Sequence, residues 1–332
     1  MLALLTALLV TLPPGCGTSA RDGTPDHYVY FRRNHARVAD TSFLQHPRLV
    51  GAQLTYTWRE LEPTPDQYAF DGIRERLAFL TAHGKRLFLQ LQDVSFSETM
   101  VTPDYLRADT AYHGGIARKY EAGPDGVARF DGWVARRWDP AVRARYARLL
   151  ATLAHEFDGR IEGVVLAETS IGFDDPAQVP SGYAPDVYAA GVRDLLTAAR
   201  AAFQQSCVVL YANFMPGEAL PDHDRGFLRG VHTHAAAIGA GVGGPDVLPY
   251  RPFQRSHSLA LIAQRSPGVL AAMAVQDGNL ADRDRRTGRR ITVAELTAYA
   301  VMPLRLDYLF WGTEEPYFTA EVLPFLRTLP PR

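Results

Sequence analysis

Short apolar runs of strand length recur eight times along the chain, and most are separated by longer amphipathic segments. The runs are rich in valine, leucine and aromatic residues and are bounded by turn residues, as β-strands are. They lie at residues 27–32, 49–58, 86–96, 161–170, 207–216, 241–250, 268–279 and 307–318. Eight strands that alternate with helices predict an α/β fold of the (β/α)8 TIM-barrel type.

Helical patterns fill the segments between these runs. One begins at Asp139, an N-cap residue type that is followed by Pro140, and another ends at Gly84. Helices are predicted at residues 70–84, 139–159, 184–203, 252–264, 292–306 and 319–329, with a weaker pattern at 222–238. The rival fold, a doubly wound open sheet, usually carries a glycine-rich turn after its first strand, and none follows residues 27–32.

One long insertion separates the third run from the next helix. Residues 97–138 contain glycines, tyrosines, Trp133 and Trp138. In a barrel this segment forms a long loop after strand 3, at the carboxyl ends of the strands where ligands bind. The alternative is a surface excursion that packs on its own aromatic residues.

The charge balance limits the partners that the chain can have. Its 332 residues carry a formal net charge of −1, with acidic and basic residues mixed along the sequence. We therefore expect no nucleic-acid partner. Residues 26–332 are long enough for one large core. A monomeric, single-domain barrel without a metal or an organic cofactor is expected.

The first 25 residues read as a leader and linker. Apolar residues run to Pro13-Pro14, too few for a helix that spans a bilayer. The small residue before Cys16 suits an export signal and resembles a bacterial lipoprotein cleavage site. The two prolines, and the absence of a basic residue before Arg21, argue against lipidation. We expect an exported protein that is periplasmic or at the cell surface. It would be attached to a membrane only if Cys16 carries a lipid. The alternative is a mis-assigned start codon before a cytoplasmic protein.

Polar and aromatic residues stand where the predicted strands end, which is where a barrel places its chemistry. Their mixture of carboxylates, amides and indoles suits a sugar. Amides and acids bond to hydroxyl groups, and an indole face stacks on the apolar face of a pyranose ring. The residues expected to contact carbohydrate are Trp58, Gln92, Asp93, Asn213, Asp246, Gln276 and Trp311.

Glu168 is the first candidate for catalysis, because glycoside hydrolysis needs two carboxyl groups that flank the scissile bond. It ends the fourth strand run, VVLAETS. On a strand, Val164, Leu166 and Glu168 share one face. The carboxyl group would then lie at the edge of an apolar layer, which raises its pKa and favours a proton donor. The alternative is a carboxylate at the rim, paired with an arginine.

Several residues compete for the role of the second carboxylate. Asp277 follows the seventh run, almost across the barrel from the fourth, and is the preferred partner. Asp246 and Asp93 also end strand runs, and Glu314 and Glu218 are further alternatives. A strand-end aspartate can equally serve to stabilise a turn.

The sequence does not favour Schiff-base, metal or serine-nucleophile chemistry. A Schiff-base enzyme needs a lysine at a strand end, but Lys85 begins its strand and Lys119 lies in the insertion. His232 and His234 fall in a predicted helix, where residues two apart face away from each other and make a poor metal pair. No Gly-x-Ser-x-Gly motif occurs in the sequence.

One stretch resembles a known family. WRELEP at residues 58–63, followed by YAFD at 68–71, resembles the second-strand region of the clan of retaining (β/α)8 glycoside hydrolases. The sequence HGKRLFLQ at 83–90 and Trp311 at the end of the eighth strand run extend the likeness.

The resemblance implies roles for two strand ends. In that clan the acid/base is a Glu at the end of strand four, which matches Glu168, and the nucleophile is a Glu at the end of strand seven. Here strand seven ends in Gln276-Asp277, and an amide cannot be the nucleophile. We expect a glycoside hydrolase of poly- or oligosaccharides with Glu168 and Asp277 as its catalytic pair. A non-catalytic carbohydrate-binding barrel and a barrel enzyme with a non-sugar substrate are the alternatives.

Overall fold

The computed structural model describes residues 23–330, and the predicted leader with Cys16 lies outside them. Eight parallel strands form a closed barrel in the order β1-β2-β3-β6-β7-β8-β9-β10, with β10 paired to β1. The two remaining strands, β4 and β5, form an antiparallel hairpin outside it. The strands are β1 Asp26–Arg32, β2 Leu49–Thr57, β3 Arg86–Gln92, β4 Ile116–Ala122, β5 Ala128–Ala135, β6 Gly163–Leu166, β7 Cys207–Tyr211, β8 Gly241–Gly244, β9 Ala271–Val275 and β10 Tyr308–Gly312. The predicted (β/α)8 barrel is confirmed.

The helices connect the barrel strands and cover the outside of the sheet. They are α1 Thr41–Leu44, α2 Trp58–Leu61, α3 Asp71–Ala82, α4 Tyr105–Ala108, α5 Pro140–Phe157, α6 Pro185–Ala202, α7 Phe227–Ile238, α8 Pro252–Ser256, α9 Ser258–Gln264, α10 Val293–Val301 and α11 Leu323–Thr328. The Asp139 carboxylate caps α5, because its Oδ1 accepts a hydrogen bond from the Ala141 amide at 2.8 Å. No helix among residues 23–330 is long and apolar enough to cross a membrane.

Three predicted helices differ from the structure, and one of them, predicted at 292–306, ends already at Val301. The pattern at 252–264 is divided into α8 and α9 at His257, whose φ of −98° and ψ of −112° are not helical. The Nδ1 atom of the buried His257 accepts a hydrogen bond from the Leu220 amide at 2.9 Å. The pattern at 319–329 begins with a π-helical turn, Phe318–Val322, and only then becomes α11.

Side chains alternate between the inside and the outside of the barrel. The inside is filled by rings, with centroid separations of 5.2 Å between Tyr28 and Phe88 and 5.0 Å between Phe88 and Tyr308. Between β8 and β9 the backbones approach so closely that a Cβ atom on Gly243 would lie 1.7 Å from the Ala272 carbonyl oxygen. Because the barrel interior is packed solid, a ligand has room only at its carboxyl-terminal end, which we call the mouth.

Residues 97–138 build a separate element at this end of the barrel. Their main feature is the hairpin of β4 and β5, which is tied to the end of β3 by a hydrogen bond of 2.7 Å from the Ser95 amide to the Trp133 carbonyl. On its other side, the Tyr120 amide donates to the Gly172 carbonyl at 2.9 Å. The hairpin therefore joins the end of β3 to the chain that follows β6.

Candidate active site

Glu168 reaches the mouth because strand alternation breaks before it. Val164, Leu166 and Ala167 all pack into the layer between the sheet and the helices, although a regular strand would place Ala167 on the opposite face. The expectation that Glu168 shares a face with Val164 and Leu166 is therefore corrected. Its side chain turns to the neighbouring strand end, where its Oε2 accepts a hydrogen bond of 2.7 Å from the Asn213 amide.

The surroundings of Glu168 favour its protonated form. Burial, more than any other cause, raises the pKa of Glu168 to about 7 from an ordinary value of 4.5. The negative charge of Asp246 adds to the rise, while the Asn213 hydrogen bond and the charges of Lys119 and Arg137 oppose it. A carboxyl group with a pKa near neutrality can hold a proton and give it up under physiological conditions, as a general acid must.

Asp246 is the carboxylate that acts on Glu168. It follows β8, and burial raises the pKa of Asp246 as well. Its Oδ1 accepts a hydrogen bond of 2.7 Å from the Asn279 side-chain amide, and Gln276 is a second hydrogen-bonding partner. Asn279 is itself held in place, since the Val247 amide donates to its Oδ1 at 2.8 Å. Asp246 is thus held by the side-chain amides of Asn279 and Gln276.

Asp277, the partner preferred from the sequence, stands in a different setting. Its side chain is 49% exposed, and its Oδ2 accepts a hydrogen bond of 2.6 Å from the Arg32 guanidinium. Asp277 and Asp246 both line one cleft of about 610 Å³. The structure therefore places Asp277 in the cleft as half of an exposed ion pair, and the carboxylate whose charge raises the pKa of Glu168 is Asp246.

Asp93 was expected to contact a ligand but is buried beneath the site. Arg137 donates to it through Nε at 2.8 Å and through Nη2 at 2.5 Å. Arg137 also donates through Nη1 to the main-chain carbonyl of Glu168 at 2.6 Å. The pair of Asp93 and Arg137 thereby fixes the backbone that carries Glu168, which corrects the predicted binding role of Asp93.

The two tryptophans expected to stack on sugar are also buried. Trp58 is 1% exposed, and its indole Nε1 donates to Glu62 at 2.9 Å. Trp311 is fully buried on the outer side of the barrel, with its Nε1 donating to His27 Nδ1 at 3.1 Å. Neither indole presents a face to the mouth in this structure, because both side chains point from their strand ends toward the helices.

The three predicted amide contacts lie near the site. Asn213 contacts Glu168, Gln276 contacts Asp246, and Gln92 lies at the rim, where its Oε1 accepts a hydrogen bond of 2.7 Å from Arg33. All three lie at the ends of barrel strands, as expected. Among residues 23–330 no group of three or more His, Cys, Asp or Glu side chains is arranged to hold a metal ion.

Sequence reasoning missed an exposed aromatic surface in the cleft. Phe253 is 50% exposed and lines the cleft beside Asp246. Behind it lie Phe214, stacked at a centroid distance of 5.8 Å, and His257 at 5.3 Å. Phe253 belongs to a helix that follows a strand end, so the search of strand ends alone could not find it. Arg137 was missed for a similar reason, since it lies near the end of the insertion and not at the end of a barrel strand.

Comparisons with known proteins support the fold. The structure is similar to the catalytic domain of β-amylase from Paenibacillus polymyxa, with a TM-score of 0.56, 8% sequence identity and coverage of 92% of this chain and 98% of that one. It is also similar to xylanase 10B from Thermotoga petrophila, in complex with xylobiose, with a TM-score of 0.51, 12% identity and coverage of 88% and 84%. Endo-glycoceramidase II from Rhodococcus sp. gives a TM-score of 0.51, 12% identity and coverage of 88% and 74%.

These similarities confirm the resemblance to (β/α)8 glycoside hydrolases at the level of the fold. No protein-family model and no curated protein matches the sequence. The class of protein that these observations define is a (β/α)8 barrel with Glu168, Asp246 and Asp277 near the carboxyl-terminal ends of its strands.

Proposed function

We propose that the protein is a glycoside hydrolase in which Glu168 is the proton donor and Asp246 is the second carboxylate. The observation that carries the proposal is the pKa of Glu168, which burial raises to about 7 in a site where Asp246 adds to the rise. A buried carboxyl group whose pKa is raised further by a second carboxylate is the pattern expected for acid/base chemistry.

The hydrogen bonds suggest how the proton is held. Oε2 of Glu168 accepts the hydrogen bond from Asn213, which leaves Oε1 to carry the proton. In the proposed reaction, Glu168 gives this proton to the glycosidic oxygen as the bond to the anomeric carbon breaks. In one route Asp246 attacks the anomeric carbon and forms a glycosyl ester, which a water deprotonated by Glu168 then hydrolyses, releasing the Asp246 carboxylate with net retention. In the other, Asp246 takes a proton from a water that attacks the anomeric carbon directly, which gives inversion.

The choice of Asp246 also accounts for the missing glutamate at the end of the seventh barrel strand. The resemblance leads one to expect a glutamate there, but β9 is followed by Gln276. The Gln276 amide is a hydrogen-bonding partner of Asp246, which comes from the neighbouring strand β8. We infer that the second carboxylate has moved one strand along the barrel, with Gln276 supporting it.

The cleft beside Asp246 supplies the groups for binding sugar. Phe253 offers an exposed ring face on which a pyranose could stack. The ion pair of Arg32 and Asp277 and the amide of Gln92 lie at the rim, where they offer donors and acceptors for hydroxyl groups. This part of the proposal replaces Trp58 and Trp311 with Phe253 as the aromatic contact.

The proposal is tested by incubating the protein with a panel of polysaccharides and aryl glycosides and following new reducing ends or released phenol. We expect hydrolysis of at least one β- or α-linked substrate by the wild type and a loss of about 100-fold or more in Glu168→Gln. Equal rates in the two proteins would remove Glu168 from the mechanism. Carbohydrate binding without turnover of any substrate would instead indicate a non-catalytic binding barrel.

A further inference from the structure

The inner face of β3 carries two glutamines near the mouth. Phe88 packs inside the barrel, and the alternation of side chains along a strand places Gln90 and then Gln92 on the same face, each one step nearer the mouth. On the neighbouring strand β6, the register partner of Gln90 is Val165, which also points inward. Since β6 leads to Glu168, the two glutamines belong to the wall of the mouth beside the proposed proton donor.

The side-chain oxygen of Gln90 is fully occupied. Its Oε1 accepts hydrogen bonds from the Tyr30 and Thr55 hydroxyls, both at 2.6 Å. This distance is usual between two oxygens and short for a nitrogen donor, so Oε1 rather than Nε2 faces the hydroxyls. Because two donors use both lone pairs of the carbonyl oxygen, Gln90 can offer a ligand only the N–H groups of Nε2.

The Nε2 atom of Gln90 is a donor without a partner. Gln90 is only 8% exposed, yet no group within residues 23–330 accepts a hydrogen bond from this atom. Nε2 is not sealed in the core either, and solvent reaches it from the mouth. A largely buried amide that lacks a protein acceptor costs free energy, which an acceptor atom of a ligand in the mouth would offset.

Gln92 is held in a similar way one step higher. Its Oε1 accepts a hydrogen bond of 2.7 Å from Arg33, and because a guanidinium can only donate, the Nε2 of Gln92 is turned away from Arg33. Arg33 forms no ion pair with a carboxylate in the described part of the chain, whereas its neighbour Arg32 is paired with Asp277 at 2.6 Å. Arg33 therefore leaves an uncompensated positive charge beside Gln92.

We propose that Gln90, Gln92 and Arg33 form a subsite for the carboxylate of an acidic sugar, a uronic acid unit of the substrate. Gln90 and Arg33 can only donate, and a carboxylate brings only acceptor oxygens together with the opposite charge. A neutral hydroxyl is a poorer match, because its own proton would need an acceptor in this wall. The inference rests on the proposed function and narrows its substrate class to glycans that contain uronic acids.

The acidic groups of the mouth do not occupy these donors. Asp277 accepts its hydrogen bond from Arg32, and Asp246 accepts from the Asn279 side chain at 2.7 Å. Neither carboxylate is hydrogen-bonded to the three groups of the subsite. The donors of the subsite are thus available to a carboxylate that arrives with the ligand.

The test follows the side-chain amides of the two glutamines and does not rely on turnover. The full chain is labelled with 15N at its glutamine side chains, and the signals of interest are identified by their loss in Gln90→Met and Gln92→Met. Sodium glucuronate and sodium galacturonate are titrated into the protein at constant ionic strength. Glucose, galactose and sodium acetate are titrated in parallel, since they supply the sugar ring or the carboxylate alone.

We expect the Gln90 and Gln92 signals to move saturably with at least one uronate. The affinity should be about 10-fold or more higher than that for the matching neutral sugar or for acetate. Signals that do not move, or an equal affinity for the neutral sugar, would overturn the inference. An equal affinity for acetate would indicate a site for small anions and would overturn it as well.

Two variants test the donors and the charge separately. Gln90→Glu can still accept from the Tyr30 and Thr55 hydroxyls, but it has no N–H group and repels a uronate. Arg33→Met removes the charge from an exposed position, where the fold does not depend on it. With the Gln92 signal as the readout, both variants should bind the uronate about 10-fold or more weakly.

Arg37→Met is the matched control for the lost charge. Arg37 follows β1 as Arg33 does, but it is paired with Asp40 at 2.8 Å. This variant should bind the uronate as the wild type does. Wild-type affinity in both Gln90→Glu and Arg33→Met would overturn the inference.

The result can be separated from that of the proposed function. Uronate binding at Gln90 in a protein that hydrolyses no glycan would support the subsite and refute the proposed hydrolase. Hydrolysis of neutral glycosides by a protein that does not bind uronates would leave the proposed function standing and overturn the subsite.

Discussion

At the scale of single residues, the properties of Glu168 come from its surroundings. Its carboxyl group is withdrawn from water at the end of β6, and one amide hydrogen bond from Asn213 does not compensate for the loss. The pKa of Glu168 rises to about 7 for this reason. The same burial that suits Glu168 for proton donation makes its ionised form unfavourable to the folded state.

This cost predicts a pH-dependent gain in stability for Glu168→Gln. Below pH 4.5 the carboxyl is protonated in both the folded and the unfolded state, so the substitution should change little. As the pH rises from about 4.5 to 7, the unfolded state loses its proton more readily than the folded state, and the wild type is progressively destabilised. Above pH 7 the variant should be more stable by about 3.5 kcal/mol, since the pKa of Glu168 rises from 4.5 to about 7 and each pKa unit is worth roughly 1.4 kcal/mol.

Urea unfolding of both proteins at pH 4 and pH 8 measures the difference. Glu295→Gln is a useful control, because the Arg289 guanidinium and hydrogen bonds at the start of α10 lower the pKa of Glu295 to about 2. That variant should lose stability at pH 8. Equal stability of the wild type and Glu168→Gln at pH 8 would mean that Glu168 is not held in a setting that opposes its charge.

At the scale of elements, strand alternation determines which side chains reach the mouth. On β10 the inward residues are Tyr308 and Phe310, so Trp311 packs outward against the helices. On β9 the inward residues are Ala272 and Ala274. The same alternation places Gln276, rather than Asp277, on the inward face. The sequence predicted each barrel strand but not its inward face, because both faces of a barrel strand are apolar.

The hairpin shows a second limit of the prediction. The insertion was recognised as a loop, but its strands were not, because β4 and β5 carry many charged residues and little regular alternation. A signal was available in the Gly123-Pro124-Asp125-Gly126 turn that joins them. The helices were easier to predict, as the N-cap at Asp139 illustrates, since caps are local in sequence.

The buried pair under Glu168 gives a prediction at this scale. Arg137→Met leaves the Asp93 carboxylate buried without its guanidinium partner and should lower the free energy of unfolding by about 3–5 kcal/mol. The double variant Asp93→Asn with Arg137→Met should recover part of this loss, because it removes the stranded charge. Arg136→Met is the adjacent control, since Arg136 is only partly buried and bonds to Ser181.

Chemical unfolding of the four proteins measures these differences. Arg137→Met should also lower hydrolysis at a pH where it is folded, because the Glu168 carbonyl loses the donor that fixes it. A loss below 1 kcal/mol would show that the pair does not support the site as described.

At the scale of the whole molecule, closure of the barrel ties distant parts of the chain together. The first strand β1 pairs with both β2 and β10, so residues near 26 and near 312 share one sheet. Residues 26–332 were predicted to be one domain, and a closed sheet leaves no edge at which a stable part could separate.

This prediction is checked by unfolding the protein in guanidinium while following far-UV circular dichroism and tryptophan fluorescence. The fluorescence of the four tryptophans reports on both parts, since Trp58 and Trp311 pack in the barrel core and Trp133 and Trp138 lie in the insertion. We expect one transition with the same midpoint for both probes. Two separated transitions would divide the chain into units that unfold independently and would contradict the single domain.

The most direct test of the proposed chemistry compares kcat/KM on one hydrolysed glycoside for the wild type, Glu168→Gln, Asp246→Asn and Asp277→Asn, all shown to be folded. If Glu168 and Asp246 are the two catalytic carboxyl groups, each of their variants should lose about 100-fold or more, while Asp277→Asn stays within about 10-fold of the wild type. Near-normal activity in Asp246→Asn together with a large loss in Asp277→Asn would contradict the assignment and return the second role to Asp277.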